Sequence, residues 1–195
     1  MVAIAILLAP LASAYAQNVP SADRVSVAQK WDHFVKETFK GSTLLGGALS
    51  ASWSEARNSN PRYGTGLGPF AQRFGAAEAD LASQNFFSDF VVASALHEDP
   101  RYFRKGPRYG LWTRAGYAIS RMAVIRTDSG RESFNWANLL GTAMSTGLSN
   151  AYYPPGSRTG GAIATHFGIS FAAAGLSNLL PEFWPDIREH FRKHH

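Results

Sequence analysis

The chain has 195 residues, a formal net charge of +5 and no cysteine. Disulfides, thiol catalysis and cysteine metal centres are therefore excluded, and packing alone must hold the fold. Basic charge on an exported chain points to anionic lipid head groups or envelope polymers as partners, and not to nucleic acid.

Export is expected because residues 1–16 carry no charged side chain and include the apolar run from Val2 to Leu8. They close on Ala14-Tyr15-Ala16, the small-x-small cleavage site of a secretory signal peptide. No Lys or Arg precedes the run, so the true start is expected upstream. Residues 17–24 read as a flexible leader and 25–195 as one helical domain.

The first helix is expected from Val25 to Lys40, where Trp31, Phe34, Val35 and Phe39 recur at helical spacing. Lys30, Asp32, Lys36 and Glu37 lie off that stripe, Asp32 can pair with Lys36, and Gly41 suits the position after the helix. A weaker helix covers Ser42 to Arg57, and residues 58–66 are a loop by their turn residues. A long helix is predicted from Pro69 to Leu96. His97 to Arg108 then forms a polar connector in which Pro100 and Pro107 forbid a passing helix. Trp112, Ala115, Ile119, Met122 and Ile125 mark the next amphipathic helix, with Arg114 and Arg121 on its other side and Thr127 to Gly130 as its end. Two nearly uncharged helices follow, Ser133 to Tyr153 and Gly160 to Leu180. A short terminal helix is expected to start with Pro185 at its first position. No alternating strand pattern stands out, so the class is all-α: a bundle of about six to seven helices.

The two halves resemble each other. Leu44 to Ser50 aligns with Leu139 to Ser145, Arg73-Phe74-Gly75 with His166-Phe167-Gly168, Asn85 with Asn178, and Tyr102 to Lys105 with His190 to Lys193. The period is roughly 90 residues, longer than common solenoid units. It predicts repeats at 42–105 and 136–193 packed as pseudo-symmetric halves. Gly161, Gly168 and Gly175 recur every seven residues, which predicts close approach of a neighbouring helix, as small-residue interfaces in membranes allow. Residues 159–180 hold only His166 as an ionisable group and are long enough to cross a bilayer. The stretch from Phe183 to His195 has the aromatic and basic character of an interfacial helix.

Chemistry concentrates at the connector. His97-Glu98 begins like a zincin helix, but Arg101 stands three residues after Glu98 and Pro100 breaks the helix, so no metal site is read here. Ser120-Arg121 with Asp128 lacks the histidine that a phosphatidic-acid phosphatase needs between them. If the chain is an enzyme, its candidate catalytic residues are His97, Glu98, Asp99 and His166. Arg101, Arg104, Arg121, Arg126 and Arg158 are the candidate anion-binding residues, with Ser129. The alternative is that these charges pair and pin the connector to the helix ends. No cofactor is implied.

The motifs from Leu96 to Arg104, Arg126 to Gly130 and Ser149 to Pro155 resemble a group of uncharacterised bacterial envelope proteins. The resemblance runs from about Phe70 to the end. It implies an exported helical protein and supplies no activity and no catalytic residues. The expected function is thus a non-enzymatic helical protein of the cell envelope, associated with membrane or anionic lipid, with homo-oligomerisation open. The other open readings are a periplasmic hydrolase or ligand-binding enzyme, and a partner-binding module using Tyr152 and Tyr153 as exposed aromatics.

Overall fold

A computed structural model describes residues 25–193 apart from 58 and 60. The expected signal peptide and leader, and His194 and His195, lie outside the described residues. The chain is predominantly helical. α1 (Val27–Thr38) opens on a capping box in which Ser26 Oγ accepts the Gln29 N–H and Gln29 Oε1 accepts the Ser26 N–H. α2 (Gly41–Arg57) follows at once, so Gly41 opens the second helix where the sequence suggested the end of the first. α3 (Leu67–Asn85), a π-helical segment (Phe86–Val92) and α4 (Ala93–Leu96) form one continuous rod, closed by His97 in the left-handed conformation (φ 57°).

α5 (Leu111–Ser120) is shorter than the periodicity suggested. Its expected last turn is instead β2 (Val124–Thr127), which pairs antiparallel with β1 (Glu98–Asp99) and β3 (Glu132–Phe134). The run Val124-Ile125 suits a pleated ladder better than a helix end. Thr127 to Gly130 is thereby the turn of a small hairpin, with Gly130 at φ 82°. α6 (Trp136–Ser149), a 3₁₀ turn (Pro155–Ser157), α7 (Gly160–Ser177) and α8 (Leu179–Lys193) complete the chain. Pro185 sits inside α8, not at its first position, because the helix already starts after the break at Asn178.

α2 with α3, and α6 with α7, are helical hairpins. Leu44 and Leu139 are each the fourth residue of their helix, and Arg73 and His166 each the seventh. The last aligned pair diverges: Tyr102 to Lys105 is irregular, while His190 to Lys193 is helical.

On α2, α6 and α8 the large apolar side chains face out, while Phe34 of α1 packs half-buried against Phe86 of the π segment. On α6, the inward face is Asn138, Thr142, Ser145, Thr146 and Ser149 with Ala137 and Gly141. The outward ridge is Trp136, Leu140, Met144 and Leu148, all exposed. α2 turns Leu44, Leu45, Leu49 and Trp53 outward, and α8 turns out Leu180, Trp184, Ile187 and Phe191. The buried apolar cluster amounts to Val92, Ala93 and Ala137, with Ile125 against it. Small polar side chains stitch the inner helices: Ser83 Oγ lies 2.7 Å from Ser145 Oγ, and Gln84 Nε2 donates to Thr142 Oγ1.

The glycine row behaves differently from expectation. Only Gly175 meets a close neighbour, the Ile119 carbonyl and Met122; Gly161 and Gly168 face open space. The close helix approaches fall at Gly141 against Ser88 and at Gly47 against the Glu78 side chain.

Candidate functional site

The inward faces carry hydroxyls, amides and a few charges, and the helices line a partly open cavity of about 1140 Å³ with mixed polar and apolar walls. α3 and its π segment run along it, placing Asp80 near the hairpin loops and Asp89 about 13 Å further on at helical rise. π segments of this kind insert one extra residue per turn and are frequent at functional sites.

At the loop end, Asp80 is gripped by two phenols. Tyr152 Oη donates to Oδ1 at 2.6 Å and Tyr153 Oη to Oδ2 at 2.5 Å. His166 Nε2 stands 3.5 Å from Asp80 Oδ2, and Ser149 Oγ 3.5 Å from His166 Nδ1. Burial, and then the Asp80 charge with its hydrogen bond, push both tyrosines well above the usual phenol range. They therefore stay protonated and act as donors. Tyr63 Oη donates to the Tyr152 carbonyl and the Arg62 N–H to Ser157 Oγ, tying the two hairpin loops together, while Arg158 Nε donates to the Tyr153 carbonyl within the second loop. Tyr153 is buried and Tyr152 half-buried, so neither is the exposed aromatic the sequence suggested. Ser149 Oγ is hydrogen-bonded to the Thr146 carbonyl in its own helix, which leaves the Ser149–His166–Asp80 alignment without a free nucleophile.

At the opposite end the connector residues separate. His97 projects outward with its side chain 83 % exposed, 3.7 Å from Asp128. Glu98 turns inward and accepts the N–H groups of Trp136 and Ala137, capping α6. Burial raises its pKa, opposed by those two amides. Asp99 takes Arg101 through a bidentate pair. Among the described residues, no hydrogen bond or ion pair joins His97, Glu98 or Asp99 to His166. The proposed acid/base constellation is therefore not assembled.

The arginines divide as well. Arg104 and Arg114 both reach Asp186, and Arg114 Nε donates to Glu182 Oε1 at 2.7 Å. Glu182, fully buried, also accepts from Tyr102 Oη and from the backbone of Lys105 and Gly106. These bonds pin the connector to α8. Arg158 belongs to the loop end. Arg101, Arg121 and Arg126 line the cavity at the connector end, together with Phe103 and Tyr117.

Three features escaped sequence reasoning. Lys30, expected on the solvent side of α1, is buried and donates to Asp128 Oδ2 at 2.8 Å and to the Ala93 carbonyl. Asp80 sat unremarked in a long helical pattern, and its signal was its place among small polar residues facing inward. Glu182, just ahead of the stretch expected to be an interfacial helix, is the hub of the connector. Its only sequence cue was an acid beside many Arg residues distant in the chain. No protein family, curated protein or solved structure matches this chain.

Proposed function

We propose that this chain is a non-enzymatic helical protein of the bacterial cell envelope that sits in a membrane, its apolar outer faces in lipid and its polar residues turned inward. The observation that carries this is α6, whose large apolar side chains point out while its buried face is small and polar. In water such an arrangement forfeits the hydrophobic contribution of about 1.5–3 kcal/mol per large side chain. In a bilayer it loses nothing, because acyl chains solvate Leu and Met, and inward polar groups pair between helices.

Two further features support it. α7 and α8 together, Gly160–Lys193, are long and apolar enough to cross a membrane, and only 6 % of their most apolar window is buried. α8 adds an exposed apolar stripe with Arg188, Arg192 and Lys193 beside it, the make-up of an interfacial helix on anionic lipid. The signal-like N-terminal sequence supports the envelope as the compartment.

Fractionation of cells tests this. The protein is expected to stay with membranes through about 1 M salt and an alkaline wash, and to be released by detergent. The variant Leu140→Lys, Met144→Lys, Leu148→Lys is expected to lose that retention. Release by salt alone would reduce the reading to surface binding, and recovery in the soluble fraction without any wash would overturn it.

A further inference from the structure

At the connector end of the cavity, cations gather over aromatic rings. Arg126 and Arg101 both lie over the Phe103 ring, with Cζ 4.4 and 5.6 Å from its centroid. Arg121 Cζ stands 4.4 Å over the Tyr117 ring, and Tyr117 Oη donates to the Phe103 carbonyl, joining the two platforms. Lys105 Nζ approaches Tyr117 from 5.0 Å. Of these four cations Arg101, Arg121 and Arg126 line the cavity; Asp99 is taken by Arg101, Glu132 takes one Arg121 N–H at 2.8 Å, and Asp89 and Glu37, which line the same cavity, sit beside His33 and Lys40. Glu132 is also the ladder partner of Arg126, so Arg121 and Arg126 flank the same position of the hairpin. The next acids out, Asp128 and Glu182, are already matched by Lys30 and Arg114.

Arg126 is the decisive group. It is half-buried, and among the described residues its guanidinium makes no hydrogen bond or ion pair. Arg121 Nε is likewise buried without a partner. A guanidinium partly withdrawn from water without an anion loses hydration that stacking on a ring only partly returns. Both groups line the cavity, which is partly open to the outside, so an anion can reach them.

We propose that Arg126, Arg121 and Arg101 form a binding site for a phosphate ester. The planar fork of Arg126, without a hydrogen bond among the described residues, suits its oxygens bidentately. Arg121 keeps Nε free beside its Glu132 contact, and Arg101, paired with Asp99, adds charge, while Phe103 and Tyr117 hold the guanidinium groups in place. The phosphate assignment stands apart from the membrane reading; only a lipid source for the phosphate rests on it.

Calorimetric titration of the full chain in neutral detergent tests this without requiring a bilayer. The probes are glycerol 3-phosphate and a short-chain phosphatidylglycerol below its micelle concentration. Arg126→Gln and Arg121→Gln are each expected to weaken binding roughly ten- to a hundredfold, and Arg126→Lys to retain part of it. Arg108→Gln, at an exposed arginine outside the cluster, is expected to change nothing. Tighter binding of the lipid identifies a headgroup site, and equal binding of both probes identifies a soluble phosphate ester; either supports the site. Absence of binding by both probes, or binding that Arg126→Gln and Arg121→Gln leave unchanged in folded protein, overturns it.

Discussion

Gly141 of α6 lies so close to Ser88 in the π segment that a Cβ built on it would fall 2.6 Å from Ser88 N and 2.7 Å from Ser88 Cα. Backbone cannot retreat as a side-chain tip can, so the contact tolerates glycine alone. Gly141→Ala is expected to destabilise the protein by about 1–3 kcal/mol, the usual cost of overpacking. Gly168→Ala faces open space on a helix and should be neutral or stabilising by up to about 1 kcal/mol. Thermal unfolding of the two variants in detergent checks the pair, and equal effects would contradict the close approach.

Asp80 depends on its phenols. Tyr153→Phe removes the 2.5 Å donor to Oδ2 and leaves part of a carboxylate inside the bundle without its partner. A loss of about 1–3 kcal/mol is expected, because the unsatisfied group keeps its desolvation cost. Combining Tyr153→Phe with Asp80→Asn should cost less than the sum of the two single changes, and a double-mutant cycle measures the coupling.

Glu98 carries a pH signature. Its folded pKa is raised above the ordinary value of 4.5, chiefly by burial, so its contribution to stability is fully present below that value. It is lost as pH rises through the raised pKa. Glu98→Gln keeps an oxygen acceptor for the Ala137 and Trp136 amides but cannot ionise. From about pH 4 to about pH 7, the stability difference between variant and wild type is therefore expected to move in the variant's favour. Melting curves at both ends of that range provide the test, and a difference moving the other way would show that the two amides outweigh burial.

Glu182 holds the connector. Arg114, Tyr102 and the amides of Lys105 and Gly106 converge on it at 2.7 to 3.1 Å. Glu182→Ala leaves Arg114 buried with its carbonyl and Asp186 contacts only, at a cost of about 3–5 kcal/mol. Limited trypsin digestion should then cut at Lys105 faster than in wild type. An unchanged rate would place the anchoring of the connector elsewhere.

Much of the architecture was legible in the chain. Helical spacing around Trp31 and Phe34, the turn residues at 58–66 and the prolines at 100 and 107 placed most elements near their observed positions. These signals are local: a stripe or a breaker acts within a turn or two of itself. The helix carried too far, to Ile125, failed where a three-residue strand at 132–134 offered Val124 to Arg126 a ladder. Pairing of that kind is decided by another part of the chain.

The sequence by itself determined an all-helical class, a cysteine-free fold held by packing, and arginine-rich segments around nearly charge-free helices. Only the tertiary structure decided which side of each helix faces in. Periodicity shows that α6 has two faces, yet it does not say whether Leu140 or Thr142 is inside, since water and lipid reverse the preference. The same holds for charges. His97, Glu98 and Asp99 are neighbours along the chain, but a left-handed residue and a strand send them three ways, while Asp80 and Tyr153 meet across 73 residues. Such meetings depend on how whole helices pack, a property no stretch of sequence carries alone.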